Sequence, residues 1–168
     1  MVAIVRLDML LKMMNATFLR SLLFAAFTCL TISAAAQTGA DAVFKQQQDC
    51  SRLLQKGLFT DAEASCRSLV SLADKLPPGE QLQRLTAYRL LGHAYYGQKK
   101  FGDALTAYQQ ELKIAETALH SPDAELGYAY HDVARALLGL GDFQHSQFYY
   151  DKAVTRWNRH GNILIPNS

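Results

Sequence analysis

The sequence predicts an all-α solenoid of three antiparallel helix hairpins, and three observations carry that expectation. Phe59, Phe101 and Phe143 stand 42 residues apart. Their neighbours repeat with them: Leu53, Tyr95 and Leu137 lie six residues before, Ala62, Ala104 and Ser146 three after, and Cys66, Tyr108 and Tyr150 seven after. Between these landmarks apolar residues recur at steps of three and four, the period of one helical face. A fixed period of this length marks stacked helical hairpins, each of which buries its apolar face only against its neighbours.

Residues 1–36 stand apart from that pattern. Arg6, Lys12 and Arg20 precede an apolar run from Ser21 to Ser33, and Ala34-Ala35-Ala36 follows it. This is the order of a secretory signal peptide, with cleavage expected after Ala36. The alternative is an uncleaved anchor, for which the run is short of the roughly 20 residues a span needs. The basic segment is long, so Met13 or Met14 is an alternative start to Met1. Cys29 lies inside the apolar run without a lipoprotein cleavage pattern, and no lipid anchor is expected. Three of the 17 basic and one of the 15 acidic residues lie in this segment, which leaves 14 of each. A formally neutral domain lacks the basic stripe of a nucleic-acid binder. No second apolar run is long enough to span a membrane.

The elements follow in order. The first hairpin is expected over Asp41–Lys56 and Thr60–Lys75, within a repeat of about 41–76. Thr60 with Glu63 three residues on reads as a capping box. Leu76-Pro77-Pro78-Gly79 stops the hairpin, because prolines cannot continue a helix. The second hairpin is expected over Glu80–Tyr96 and Asp103–Leu119, within 80–119. Leu82, Leu85, Tyr88, Leu91, Gly92 and Tyr95 share one face of its first helix; Ala104, Tyr108, Leu112 and Ala115 share one face of the second. Ser121-Pro122-Asp123 reads as an N-cap, a proline at the first helical position and an acidic residue favoured by the helix dipole. The third hairpin is expected over Pro122–Leu138 and Gln144–Trp157, within 122–158, and residues 161–168 form a tail. Gly92 or Ala134 on first helices, and Ala62, Ala104 or Ser146 on second helices, let paired helices approach closely. Tyr95, Tyr108 and Tyr150 are expected to fill the core beside them.

These residues carry a family resemblance. Leu91-Gly92-x-x-Tyr95 followed by Phe101, Ala104 and Tyr108 resembles one tetratricopeptide repeat. The 42-residue spacing, with the stretch from Ala104 to Phe143, is similar to the longer repeats of kinesin light chains. The resemblance covers about residues 43–160. It is weaker in the first repeat, where Asp49-Cys50 replaces Leu-Gly, and mildly altered in the third, which has Val133-Ala134. It implies a right-handed superhelix whose first helices line a concave groove that binds protein or peptide. Carried over position by position, that groove takes Gln47, Ser51 and Leu54 from repeat one. It takes Arg89, His93 and Tyr96 from repeat two, and His131 and Arg135 from repeat three. Relatives that clamp a terminal carboxylate use Lys and Asn where this chain has Gln47 and Ser51.

The expected groove is a cationic patch of Arg89, His93, His131 and Arg135 beside Tyr96, suited to an acidic segment through charge-assisted hydrogen bonds. The alternative is a solvated face in which these groups pair with Asp132 and its neighbours. Cys50 and Cys66 lie eight residues either side of the first turn and should face each other. In an exported protein this predicts a Cys50–Cys66 disulfide, with two buried thiols as the alternative.

Phosphate loops, His-Glu-x-x-His helices and Gly-x-Ser-x-Gly elbows are missing from the sequence. Neither enzyme activity, nor a metal, nor a cofactor is expected, and His93 with His131 offers only two ligands where a metal needs three or four. The expectation is a periplasmic or secreted scaffold for protein–protein interaction. A second reading is a structural subunit of an envelope assembly that packs through its C-terminal end, as a homo-oligomer or with a partner. In that region Ile163–Ile165 either fold back as a lid or leave the end of the stack open. A metal-binding protein or enzyme using the groove histidines is the remote alternative.

Overall fold

A computed structural model describes residues 39–118 and 123–159. The expected signal peptide and its cleavage site, the Ser121-Pro122 helix start and the 161–168 tail with its Ile163–Ile165 lid lie outside those residues. The hairpins belong to one compact unit that begins at Ala40. The described residues form six α-helices and no strand. These are α1 (39–55), α2 (Phe59–Ala73), α3 (Gln81–Gly97), α4 (Phe101–Ala118), α5 (Asp123–Gly139) and α6 (Phe143–Arg159). From α2 onward each helix packs on the next in chain order, and α3 also touches α5.

The 42-residue period is written into the turns. Helices α1, α3 and α5 end at residues 55, 97 and 139, and α2, α4 and α6 begin at 59, 101 and 143. Each turn closes with the same pair of backbone bonds. Gly57 N–H donates to Leu54 O at 3.0 Å and Leu58 N–H to Leu53 O at 3.0 Å. Lys99 donates to Tyr96 O and Lys100 to Tyr95 O; Gly141 donates to Leu138 O and Asp142 to Leu137 O. This is the Schellman closure, which places one residue in the left-handed region. That residue is Gly57 (φ 70°), Lys99 (φ 61°) or Gly141 (φ 82°). Two turns use glycine, which accepts this conformation freely, and the middle one forces a lysine into it.

The turn also corrects the expected capping box. Helix α2 starts at Phe59 with Leu58 as N-cap, and no side chain caps it. The Schellman closure delivers Leu58 already positioned, so Ala62 N–H bonds Leu58 O at 2.8 Å. Glu63 is thereby released to tie two hairpins together, accepting from Gln98 Nε2 at 2.9 Å and Lys100 Nζ at 2.8 Å. Among the described residues, the third hairpin alone caps its second helix with a carboxylate, where His145 N–H donates to Asp142 Oδ1 at 3.2 Å.

Small residues set the spacing within hairpins. A Cβ on Gly92 would lie 2.2 Å from the Tyr108 ring, so the fully buried tyrosine needs glycine opposite. Ala62 and Ala104 are fully buried, and Ser146 satisfies its hydroxyl on Ala134 O at 2.9 Å. In the first hairpin the disulfide takes over. Cys50 and Cys66 are bonded and fully buried, with Cα atoms 5.3 Å apart. Closing a loop of this size contributes about 3 kcal/mol in the chain-entropy account. Tyr150 departs from its expected place in the core. It is 44% exposed, whereas Tyr108 at the same repeat position is 0% exposed. Tyr108 lies between α3 and α5; among the described residues no helix follows α6 to cover Tyr150.

Candidate functional site

The first helices of the three hairpins converge on one cavity of about 680 Å³. Leu54 and Gln55 come from the end of α1, Phe59 from the start of α2, and His93, Tyr96 and Gly97 from α3. Lys99 comes from the strained turn, Phe101 from the start of α4 and Arg135 from α5. The Schellman turns explain the convergence. Each brings the end of a first helix beside the phenylalanine that opens the second. Phe59 lies so close on Gly97 that a Cβ there would be 2.3 Å from the ring, and Phe101 stands over Gly139 in the same way.

The walls are mostly aromatic and aliphatic. Tyr96 and Phe101 meet edge to face with ring centroids 5.3 Å apart, and the Arg135 guanidinium lies over the Tyr96 ring at 4.4 Å. Such a cation over a tyrosine face gains about 0.5–1 kcal/mol where exposed and more where dry.

Behind the cavity a buried carboxylate organises the polar groups. Asp132 is nearly buried, with His93 Nε2 at 3.3 Å, Arg135 Nη1 at 3.3 Å and His131 Nδ1 at 3.5 Å. Burial opposes its ionisation. Hydrogen bonds from His131 and His93, and the electrostatic pull of the neighbouring His93 and Arg135, outweigh that burial and hold the carboxyl well below the usual range.

Four of the sequence-predicted groove residues therefore line the cavity: Leu54, His93, Tyr96 and Arg135. Arg89 and His131 are placed elsewhere. Arg89 bridges Glu111 at 2.6 Å and Glu125 at 2.7 Å and stands 5.6 Å from the centre of the Tyr128 ring. His131 sits between Tyr150 and Trp157, with ring centroids 5.7 Å from each. Of the first-repeat positions Leu54 lines the cavity, and Gln47 and Ser51 are half-buried on α1 beyond its lining.

Glu111 is wholly buried, and burial pushes its carboxyl up to about 8 against the pull of Arg89. Its second oxygen, Oε2, has no hydrogen-bond partner among the described residues, and neither has the Tyr108 hydroxyl. The charge of the expected patch is thus largely answered from within the fold.

The cation that sequence reasoning missed is Lys99. It is exposed, lines the cavity, and has no acidic partner among the described residues. The signal was present in the repeat itself, since Lys99 stands 42 residues from Gly57 and from Gly141. No group of three or more His, Cys, Asp or Glu able to hold a metal occurs among the described residues. No described helix is long and apolar enough to cross a membrane.

Solved structures place this architecture among tetratricopeptide-repeat folds. The TPR domain of Arabidopsis FLU is 20% identical, with a TM-score of 0.65 over 72% of this chain and 98% of that domain. A TPR-like protein from Chlorobium tepidum is 17% identical, with a TM-score of 0.52 over 75% of this chain and 98% of that one. BtubC (BKLC) from P. vanneervenii is 19% identical, with a TM-score of 0.54 over 76% of this chain and 59% of that one. No protein-family model matches the sequence, and no curated protein matches it.

Proposed function

We propose that the chain is an exported, non-enzymatic scaffold, periplasmic or secreted, which holds a protein or peptide in the cavity where its hairpins converge. The observation that carries this reading is the cavity itself, an aromatic and aliphatic pocket with one unanswered ammonium, Lys99, at its edge. The fitting occupant inserts an apolar side chain and sets a carboxylate of an acidic segment against Lys99. The likeness to TPR folds supports the class of function, and the disulfide and the leader-like residues 1–36 support export. The equal spacing of the helix starts supports the 42-residue kinesin-light-chain variety of the repeat and, with it, a right-handed superhelix of three repeats.

The test uses the full chain as bait in envelope extracts, beside its Lys99→Glu variant. Losing one charge-assisted contact and gaining a repulsion should weaken capture by about tenfold or more. Unchanged capture of the same proteins would contradict the reading. A second reading, a structural subunit of an envelope assembly joined through its C-terminal end, draws on the exposed Phe143 and Tyr150 of α6.

A further inference from the structure

The first and last described helices, α1 and α6, carry opposite chemistry. Ala87, Leu91, Ala94 and Gly97 of α3 recur at the spacing of one helical stripe, and Ala129, Val133, Ala136 and Gly139 of α5 repeat it. The registers are anchored by Gly97 against Phe59 and Gly139 against Phe101. All six alanine and aliphatic residues of these sets are buried. They share the pattern small, aliphatic, small, glycine at offsets of 0, 4, 7 and 10, one stripe of a helix.

The surface such a stripe covers is also repeated. On α4 it is Phe101, Leu105, Tyr108 and Leu112, spaced for one face, with Tyr108 and Leu112 buried. The same positions of α6 are Phe143, Gln147, Tyr150 and Val154. There Phe143 is 69% exposed, and Leu138 and Leu140 are exposed beside it. At the other end α1 carries Lys45, Asp49, Arg52 and Gln55 where α3 has Ala87, Leu91, Ala94 and Gly97. Asp49 and Arg52 pair across that face at 2.7 Å. It is a polar cap, and it has no glycine to receive Phe143.

We infer that the C-terminal face of α6 docks one helix of another protein, a helix bearing the small–aliphatic–small–glycine stripe and running antiparallel to α6 with its glycine over Phe143. A second copy of this chain does not fit head to tail. Its α1 face offers two cations, an acid and a glutamine to an aromatic surface, and its two matching helices are already seated inside their own stack. The continuity of the α2–α3 and α4–α5 interfaces defines the occupant: the next helix of the series, supplied in trans. This surface is separate from the cavity, and its occupancy does not depend on the cavity reading.

The probe is a fluorescent peptide of residues 81–100 of this chain, lactam-stapled on the side opposite Ala87, Ala94 and Gly97, titrated with the full chain. The expected result is saturable binding that weakens at least roughly tenfold with Phe143→Glu in the protein or Gly97→Leu in the peptide. Lys45→Glu with Arg52→Glu, at the far end, should leave it unchanged. Absence of saturable binding, or indifference to Phe143→Glu, overturns the inference. So does binding that appears only after residues 160–168 are removed, because the chain's own tail then covers the face. A doubled mass in light scattering that Phe143→Glu abolishes also overturns it, in favour of a second copy.

Discussion

Lys99 holds a backbone conformation that its two repeat counterparts assign to glycine. A left-handed lysine costs about 1–2 kcal/mol, part of which glycine returns to unfolded-chain entropy. Lys99→Gly is therefore expected to raise unfolding stability by about 0.5–1 kcal/mol in urea titration. The same change should weaken partner capture, because the ammonium at the cavity edge is lost. A variant that is less stable would show that the lysine side chain is anchoring the turn. Strain kept at one turn of three, beside the cavity, is the kind of departure that binding explains and stability does not.

Glu111 and Arg89 show the opposite relation. Both are held inside the fold, so replacing Arg89 perturbs stability before it perturbs binding. The Glu111 carboxyl is raised from its ordinary 4.5 to about 8, so the folded state binds a proton more tightly than the unfolded state. Its contribution to stability is fully present below about pH 4.5 and is lost as pH rises through about 8. Glu111→Gln keeps an acceptor for Arg89 and removes the titration. Urea titrations at pH 6 and pH 9 should show the native chain losing stability that the variant retains. Parallel behaviour of the two chains would contradict the burial argument.

At the level of helices and turns, much was legible in the sequence because the period is local and repeated. The three phenylalanines mark the starts of α2, α4 and α6, and Leu76-Pro77-Pro78-Gly79 follows the end of α2. The opposed positions of Cys50 and Cys66 follow from hairpin symmetry about Leu58. What was not legible depends on contacts distant in sequence. Thr60 and Glu63 read as a cap, yet Glu63 finds Gln98 and Lys100 in the next turn. Arg89 read as a groove cation because its partners lie 22 and 36 residues away. Tyr150 read as core because its position repeats, although among the described residues no helix follows α6 to bury it. The polar stripe of α1 and the glycine at residues 97 and 139 were visible as letters, but acquired meaning only once the packing partners were known. The disulfide gives this scale its prediction. Reduction, or Cys50→Ser with Cys66→Ser, should lower stability by about 2–4 kcal/mol in denaturant titration, because the first hairpin has no Gly92-like close approach in its place. An effect near zero would show that Val43, Ala62 and Leu69 suffice to hold α1 and α2 together.

Over the whole molecule the hairpins leave two surfaces with distinct tasks. The cavity gathers the ends of α1, α3 and α5 around apolar walls and Lys99, while α6, the last described helix, carries exposed aromatic residues. The central claim is that a protein partner enters the cavity. The direct measurement is site-specific photo-crosslinking in cells, with benzoylphenylalanine at Gln55, on the cavity wall, and at Gln110, exposed on α4 and outside the cavity lining. The account predicts a discrete crosslinked protein from position 55 and none from position 110. Equal crosslinking from both positions, or a discrete product from 110 alone, would contradict it.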